Sequence, residues 1–482
     1  MSVFFSVSRS WLTVALLALA ACGGGGASDV SERLTLTNPP APQDPSPPPQ
    51  EPGPEPGDDF RVFRMAASAV QTLPIENRPL RNGHADFPLT SLRDELDLLK
   101  IVADYLGIPY DLFAASEEPP ADHPWTIAVE QLIARAQAVE RPLILQLGFA
   151  RRSMVGSAVL DEEGELFVDL TWAPSCFDFT SPEAAGIGDA YVNYAAWMAG
   201  ALQPAYIVSF SEANLYYAEC GGATASWEAL VDIQRRAYDA IKAAAPDASV
   251  FASFNLEALY GDTLDGWDET QYQALSAMAY DTFAMASYPF GITGEDGTFV
   301  TPYDLPSDYL SRVLIHHPEE KRLSMAETGW NNVSIAVGDE ETCFENFPYS
   351  ETRFAADYLE FVINTAYEAE FDFLSWFSFR DVLPANVMGT CYVRTDSTDP
   401  ENDACLQDYW CQAINQAKNT VLIPGAPALF SEVIQKAFGA MGLLEYDGTS
   451  RSLLLDRWRE VLAQPLQHDL EAEPEDPADD SL

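Results

Sequence analysis

Two short stretches set a carboxylate at the end of an apolar run. Residues 323–332, LSMAETGWNN, end their run on Glu327, which is followed by Thr328, Gly329 and Trp330. Residues 205–217, AYIVSFSEANLYY, end theirs on Ser211 and Glu212. A short β-rich apolar run reads as a strand, and a charged group just past its end lies where a ligand can reach it. Two such carboxylates suit the cleavage of a glycosidic bond. One attacks the anomeric carbon; the other protonates the leaving oxygen and later deprotonates water. That two-step displacement needs the pair about 5 Å apart and in different charge states. The rival hydrolytic signatures, GxSxG and HExxH, are absent from the sequence.

The elements that must position this pair follow a βα rhythm. The expected strands are FRVFRMAAS (60–68), IPYDLF (108–113), PLILQLGF (142–149), AYIVSF (205–210), ASVFASF (248–254), TFAMASY (282–288), RLSMAE (322–327) and FDFLSWFSF (371–379). Between them lie amphipathic segments such as LRDELDLLKIVADYL (92–106) and WEALVDIQRRAYDAIKAAA (227–245). In the latter, Leu230, Ile233, Ala237 and Ile241 recur on one helical face. A last helix is expected in SRSLLLDRWREVLA (450–463). Eight strands alternating with helices predict an α/β fold, a (β/α)8 TIM barrel over residues 59–464. The doubly wound alternative would carry a Gly-rich phosphate turn after an early strand, and none is seen. Long insertions interrupt the rhythm after strand 3 (150–188, with hairpin-like GSAVLDEEGELFVDLTW) and after strand 8 (381–448). Both follow strand C-termini, the barrel face that carries chemistry, and there the strand 4 and strand 7 carboxylates would face each other.

In this order the motifs resemble the clan of retaining (β/α)8 glycoside hydrolases, which places its acid/base after strand 4 and its nucleophile after strand 7. AETGW is similar to the nucleophile segment of endo-β-glucanases and endo-β-galactanases of that clan and implies Glu327 as nucleophile. SEANLYY is similar to the acid/base segment and implies Glu212. MASYPF implies that Tyr288 hydrogen-bonds the nucleophile, and FLSWFSF offers Trp376 as an aromatic floor beneath the sugar. GLLEYDGTSRSLLLDRW resembles the clan's closing segment. Two departures stand out. Ser211 occupies the place of the usual Asn before the acid/base, and no counterpart of the clan's arginine after strand 2 is evident. Trp330, Tyr216, Tyr217 and Trp172 are candidate sugar-stacking rings, although each taken singly better suits a structural role. Asn255, after strand 5, is a candidate polar substrate contact. No cofactor or metal is called for.

The remaining features concern export. Residues 1–22 combine Arg9, an apolar run and Leu19-Ala20-Ala21-Cys22. That is a secretory signal resembling a bacterial lipobox, with Cys22 lipidated; the run is short for a transmembrane span. Gly23 in place of aspartate favours the outer membrane, on its periplasmic or cell-surface face. Residues 23–58 read as a Gly/Pro-rich disordered tether and 465–482 as an acidic disordered tail. Six further cysteines, Cys176, Cys220, Cys343, Cys391, Cys405 and Cys411, suggest disulfides in an exported chain, with Cys176–Cys220 and Cys405–Cys411 as expected pairs. The histidines show no ligand spacing with them, which argues against zinc. The formal net charge of −48 argues against nucleic acid and anionic surfaces as partners. The expectation is a monomeric, lipid-anchored, retaining β-glycosidase, endo-acting on neutral polysaccharide. Alternatives are a noncatalytic glycan-binding lipoprotein on a decayed barrel and a transglycosylase using the same residues.

Overall fold

The computed structural model describes residues 60–69, 88–103, 108–114, 116–148, 154–160, 166–172, 176–261, 263–292, 300–317, 322–337, 344–345, 351–383, 385–389, 391, 436 and 438–467. They belong to the second of two compact units, Phe60–Leu482. Cys22, the tether and residues 468–482 lie outside the described residues, as do Cys343, Cys405 and Cys411. Residues 465–467, placed in the tail from sequence, instead pair with Arg61, whose N–H donates to the Pro465 carbonyl and whose carbonyl accepts from Gln467 N–H.

Eight parallel strands close into a barrel. They are β1 (Arg64–Ala69), β2 (Leu98–Val102), β3 (Leu143–Gln146), β4 (Tyr206–Phe210), β5 (Ser249–Asn255), β6 (Phe283–Ser287), β7 (Leu323–Thr328) and β8 (Phe373–Trp376). Their order round the barrel is 1-8-7-6-5-4-3-2. β2, β3, β4, β6 and β8 are buried along their whole length, because both faces of strands in a parallel barrel are covered. Ala66, Leu98, Ile144, Tyr206, Val208, Phe251, Ala284, Ala326 and Phe373 form an inner apolar cluster, one or two residues from each strand. Helices α1 (Pro124–Gln137), α2 (Pro182–Leu202), α3 (Ala225–Ala244), α4 (Glu269–Leu275), α5 (Thr352–Glu368) and α6 (Ser452–Leu462) lie between or after them. α3 starts where the Thr224 hydroxyl accepts from Trp227 N–H, and it buries the expected Leu230, Ile233, Ala237 and Ile241.

The second strand is not where the sequence places it. IPYDLF supplies only the two-residue strand Ile108–Pro109, in a separate three-stranded sheet, and then the helical turn Tyr110–Phe113. β2 is LLKIV, inside the segment read as a helix. The reason is physical. A five-residue strand buried on both faces has no period-2 signature, and Lys100 at its centre imitates the polar face of a helix.

The small sheet also contains Met154–Leu160 and Leu166–Trp172, paired antiparallel from Met154↔Trp172 to Leu160↔Leu166 between β3 and α2. Cys176 and Cys220 are disulfide-bonded, with Cα atoms 5.3 Å apart. Cys220 ends the short helix Ala213–Glu219, so the bridge ties down the segment directly after Glu212. Cys391 is also disulfide-bonded. After β8 the chain is locked by the buried pair of Arg451 Nη2 and Asp381 Oδ2, 2.6 Å apart. Among the described residues no helix is long and apolar enough to cross a membrane.

Candidate active site

β7 delivers Glu327 through a bulge. Met325 pairs with Met285 and Glu327 with Ala286, so Ala326 is the extra residue opposite β6. A bulge bends its strand and re-aims the side chains beyond it. The Glu327 carboxylate meets donors from two other strands. Tyr288, just past β6, donates its hydroxyl to Oε1 at 2.7 Å. Lys100 on β2 donates Nζ to Oε2 at 3.1 Å and to the Ala326 carbonyl at 2.7 Å. Lys100 is fully buried, and a buried ammonium is tolerable only when paired and hydrogen-bonded in this way. Gly329 lets the β7 and β8 tips approach, since a Cβ there would lie 2.5 Å from the Phe377 carbonyl oxygen.

β4 is bulged too: Val208 pairs with Phe251 and Phe210 with Ala252, leaving Ser209 unmatched. Glu212 then adopts φ 48°, ψ 47°, the left-handed region that costs a non-glycine residue roughly 1–2 kcal/mol. It precedes the helix Ala213–Glu219 without capping it by its side chain. Its carboxylate turns instead to Asn255, whose Nδ2 donates to Oε1 at 2.8 Å. The orientation of that amide is fixed: Asn255 Oδ1 accepts from Ala258 N–H at 2.8 Å, so the nitrogen must face Glu212. The Glu212 N–H is held by Ser253 Oγ at 2.9 Å. Asn214 clamps the two strand ends together, accepting from Asn255 N–H at 2.7 Å and donating to its carbonyl at 2.8 Å. Glu327 thus has a cation and a hydroxyl among its partners, and Glu212 a neutral amide among its own.

Behind both lies a third acidic side chain, Glu257, in the helical turn after β5. Its Oε1 accepts from Ser287 Oγ at 2.6 Å, Tyr288 N–H at 3.0 Å and Tyr309 Oη at 3.1 Å. Burial, opposed by those hydrogen bonds and assisted by the charge of Glu212, pushes its pKa up to about 7. The folded state therefore binds a proton that the unfolded chain has already released between pH ~4.5 and ~7. Stability falls as pH rises through that window, by at most about 3.5 kcal/mol. Asp381, pushed up to about 6 by burial against the opposing pull of Arg451, acts in the same direction. Thermal denaturation from pH 5 to 8 should show Glu257→Gln with a flatter decline than the parent chain; parallel curves would contradict this assignment.

The structure thus brings together four of the residues expected from sequence: Glu327 with Tyr288, and Glu212 with Asn255. Asn255, expected as a polar substrate contact, places its amide between Glu212 and the following turn. Ser211 is half-buried just before Glu212. The expected stacking rings are placed otherwise. Trp376 is fully buried, its Nε1 donating to the Met441 carbonyl at 2.8 Å, because the closing segment covers it. Trp330 is sealed against Phe290 and Tyr358. Tyr216 is buried and donates to the Phe177 carbonyl at 2.7 Å. All three are core, as large rings beside a strand end usually are. Tyr217 packs edge-on to Trp227, and Trp172 ends an antiparallel strand, its side chain outside the described residues. The ring that does reach Glu327 is Tyr288, itself packed against Phe290 and Phe438, with Phe438 edge-on to it at 4.8 Å. Lys100, Asn214, Ser253 and Glu257 were missed. Of these only Lys100, a lone charge inside an apolar run, left a signal. Among the described residues no cluster of three or more His, Cys, Asp or Glu could hold a metal ion.

No protein-family profile and no curated protein sequence matches the chain. Solved structures similar in fold include the GH5_18 protein of Streptomyces cattleya in complex with GlcNAc. It shows 16% identity and TM-score 0.46, with 84% of this chain and 82% of that one covered. A variant of the same protein in complex with Manβ1-4GlcNAc shows 15% identity and TM-score 0.47, with 86% and 82% covered. The exo-β-1,4-mannosidase Op5Man5 from Opitutaceae bacterium strain TAV5 shows 10% identity and TM-score 0.46, with 84% and 59% covered.

Proposed function

We propose that this protein is a glycoside hydrolase that works by configuration-retaining double displacement. One observation carries the reading. Two carboxylates end strands 4 and 7 of a closed eight-stranded barrel, and each is held by side chains from other strands rather than left to solvent. In the first step Glu327 attacks the anomeric carbon while Glu212 passes its proton to the departing oxygen. A glycosyl ester on Glu327 and a free alcohol result. In the second step Glu212 takes a proton from water, whose oxygen displaces Glu327. Lys100 and Tyr288 suit the nucleophile's role, because they hold a carboxylate in line without competing covalently.

A neutral β-linked glycan is the substrate class we infer, from the resemblance of the strand 4 and strand 7 motifs and from the net charge of −48, which disfavours an acidic polymer. The pairing of Lys100 with Glu327 and the Ala326 carbonyl is compatible with it. Endo action is inferred from the insertions after β3 and β8, which would wall an extended cleft. Lipidation at Cys22, an outer-membrane location and a monomeric state are inferred from sequence alone. The test is a screen of β-glucans, galactans and mannans with the purified protein, with the first-formed anomer followed by NMR. Initial release of the β-anomer is expected. Initial α-anomer would contradict retention, and no release from any β-glycan would contradict the reading as a whole.

Lys100→Met tests the positioning of the nucleophile. It keeps the length of the side chain and removes the cation. Loss of one preorganised electrostatic group typically costs 10²–10³ in rate, so kcat should fall about 100-fold in steady-state assays. A fall of less than about threefold, with fold intact by circular dichroism, would remove Lys100 from the mechanism.

A further inference from the structure

We propose that Glu257 is a positioning residue of this site: its sealed carboxyl fixes Ser287 and Tyr288 as a unit, and through the Tyr288 hydroxyl it sets where the Glu327 carboxylate points. The proposal rests on the reading of Glu327 as nucleophile. Its basis is the way hydrogen bonds converge. Three donors from three places reach one oxygen of Glu257: the Ser287 hydroxyl, the Tyr288 backbone N–H and the Tyr309 hydroxyl. Its other oxygen is buried with no protein partner. A carboxyl in this setting is costly to keep, and an amide or hydroxyl would be a cheaper way to cap a strand end.

The position explains what is gained. Tyr288 stands at φ −138°, ψ 69°, between the end of β6 and the turn Pro289–Gly291. Its N–H leaves the sheet ladder and goes to Glu257 instead. Ser287, bound to Glu257 by its hydroxyl, accepts at its carbonyl from Thr328 Oγ1 at 2.8 Å. Thr328 is the neighbour of Glu327. Glu257 therefore grips the nucleophile from two sides, through the Tyr288 hydroxyl on the carboxylate itself and through Ser287 on the adjoining residue of β7. It also lies two residues beyond Asn255, the donor to Glu212. The supports of both carboxylates thus meet in one short turn.

The charge of Glu257 is felt across the site. The titratable groups that face it are Glu212 at the β4 tip, Tyr309 from the segment after β6, Tyr358 from α5, and Tyr260 at the end of its own helical turn. Arg312 lies over the Tyr260 ring, 5.1 Å from its centroid. Because the Glu257 carboxyl titrates near neutrality, its ionisation falls within the working range of an enzyme and should leave a mark on turnover.

The test compares the parent chain with Glu257→Gln, Glu257→Leu and Glu327→Gln on whichever β-glycan the screen shows to be cleaved. Gln keeps an oxygen for all three donors but does not titrate; Leu keeps volume and offers no acceptor. Expected are a kcat within about tenfold of the parent for Gln, a fall of about 100-fold or more for Leu, and KM within about threefold for both. The kcat–pH profile of the parent should show an ionisation near 7 that Gln lacks. If Leu does not fold, the Gln profile decides: a profile superimposable on the parent's overturns the proposal. Equal kcat for the parent, Gln and Leu overturns it as well. In both cases an inactive Glu327→Gln leaves the glycosidase reading standing. A parent chain that cleaves no β-glycan removes both.

Discussion

Glu327→Gln lowers kcat/KM by at least about 10⁴-fold on any glycan the parent chain cleaves, equivalent to about 5.5 kcal/mol of transition-state stabilisation. The size follows from the role. An amide oxygen is a poor nucleophile and a poor leaving group, so both displacements lose their covalent partner at once. Geometry is not the cause, because Gln fills the same volume and its amide oxygen can still accept from Tyr288 or Lys100. KM should therefore move by no more than a few-fold, and nearly all of the loss should be in kcat. Steady-state kinetics with a fluorogenic aryl glycoside and with polysaccharide provide the check. A variant that retains more than about 1% of parental kcat on both would deny Glu327 the covalent role.

Glu212→Gln has a second large effect, and its size depends on the substrate. Proton donation to a sugar alcohol leaving group contributes typically 10²–10⁴-fold, so hydrolysis of natural glycan should fall about 10³-fold or more. An activated aryl glycoside, whose phenolate departs without a proton, should react in the first step at nearly the parental rate. The second step then stalls, because no base is present to deprotonate water. A burst of phenolate equal to the enzyme concentration is expected in stopped-flow, followed by slow turnover. Equal loss on both leaving-group classes would mean that Glu212 is not the acid. The left-handed backbone of Glu212 bears on the same point. A residue held at φ 48° with no side-chain cap bond stays there because surrounding contacts over-determine it, and here those contacts are Ser253 and Asn255.

The positions of the two carboxylates were legible because a short strand leaves a compact apolar signature and its end is marked by the first charge. That rule placed Glu327 and Glu212, and the βα rhythm placed seven of the eight strands. It failed at β2, where a buried lysine inside five residues looks like the polar stripe of a helix. The same failure hid the cation on Glu327, since no residue after the wrongly placed strand could supply it. The bulges at Ser209 and Ala326 have no sequence signature, because one extra residue in a strand alters neither composition nor period. Glu257 was silent for a related reason. A Glu in the first turn of a helix is ordinary in sequence, and only the fold shows it sealed beneath Tyr288. For Trp330 and Trp376 the sequence left a core role open beside a stacking role, because a large ring beside a strand end can also fill the space between barrel and closing segment, and both are buried.

The most direct test of the central claim is peptide mass spectrometry on the Glu212→Gln variant, acid-quenched during turnover of an activated aryl β-glycoside. The proposed chemistry predicts one glycosyl unit esterified to Glu327, within the peptide that carries LSMAETGWNN. A glycosyl group on another residue, or parental turnover that never passes through an ester at that carboxylate, would contradict it.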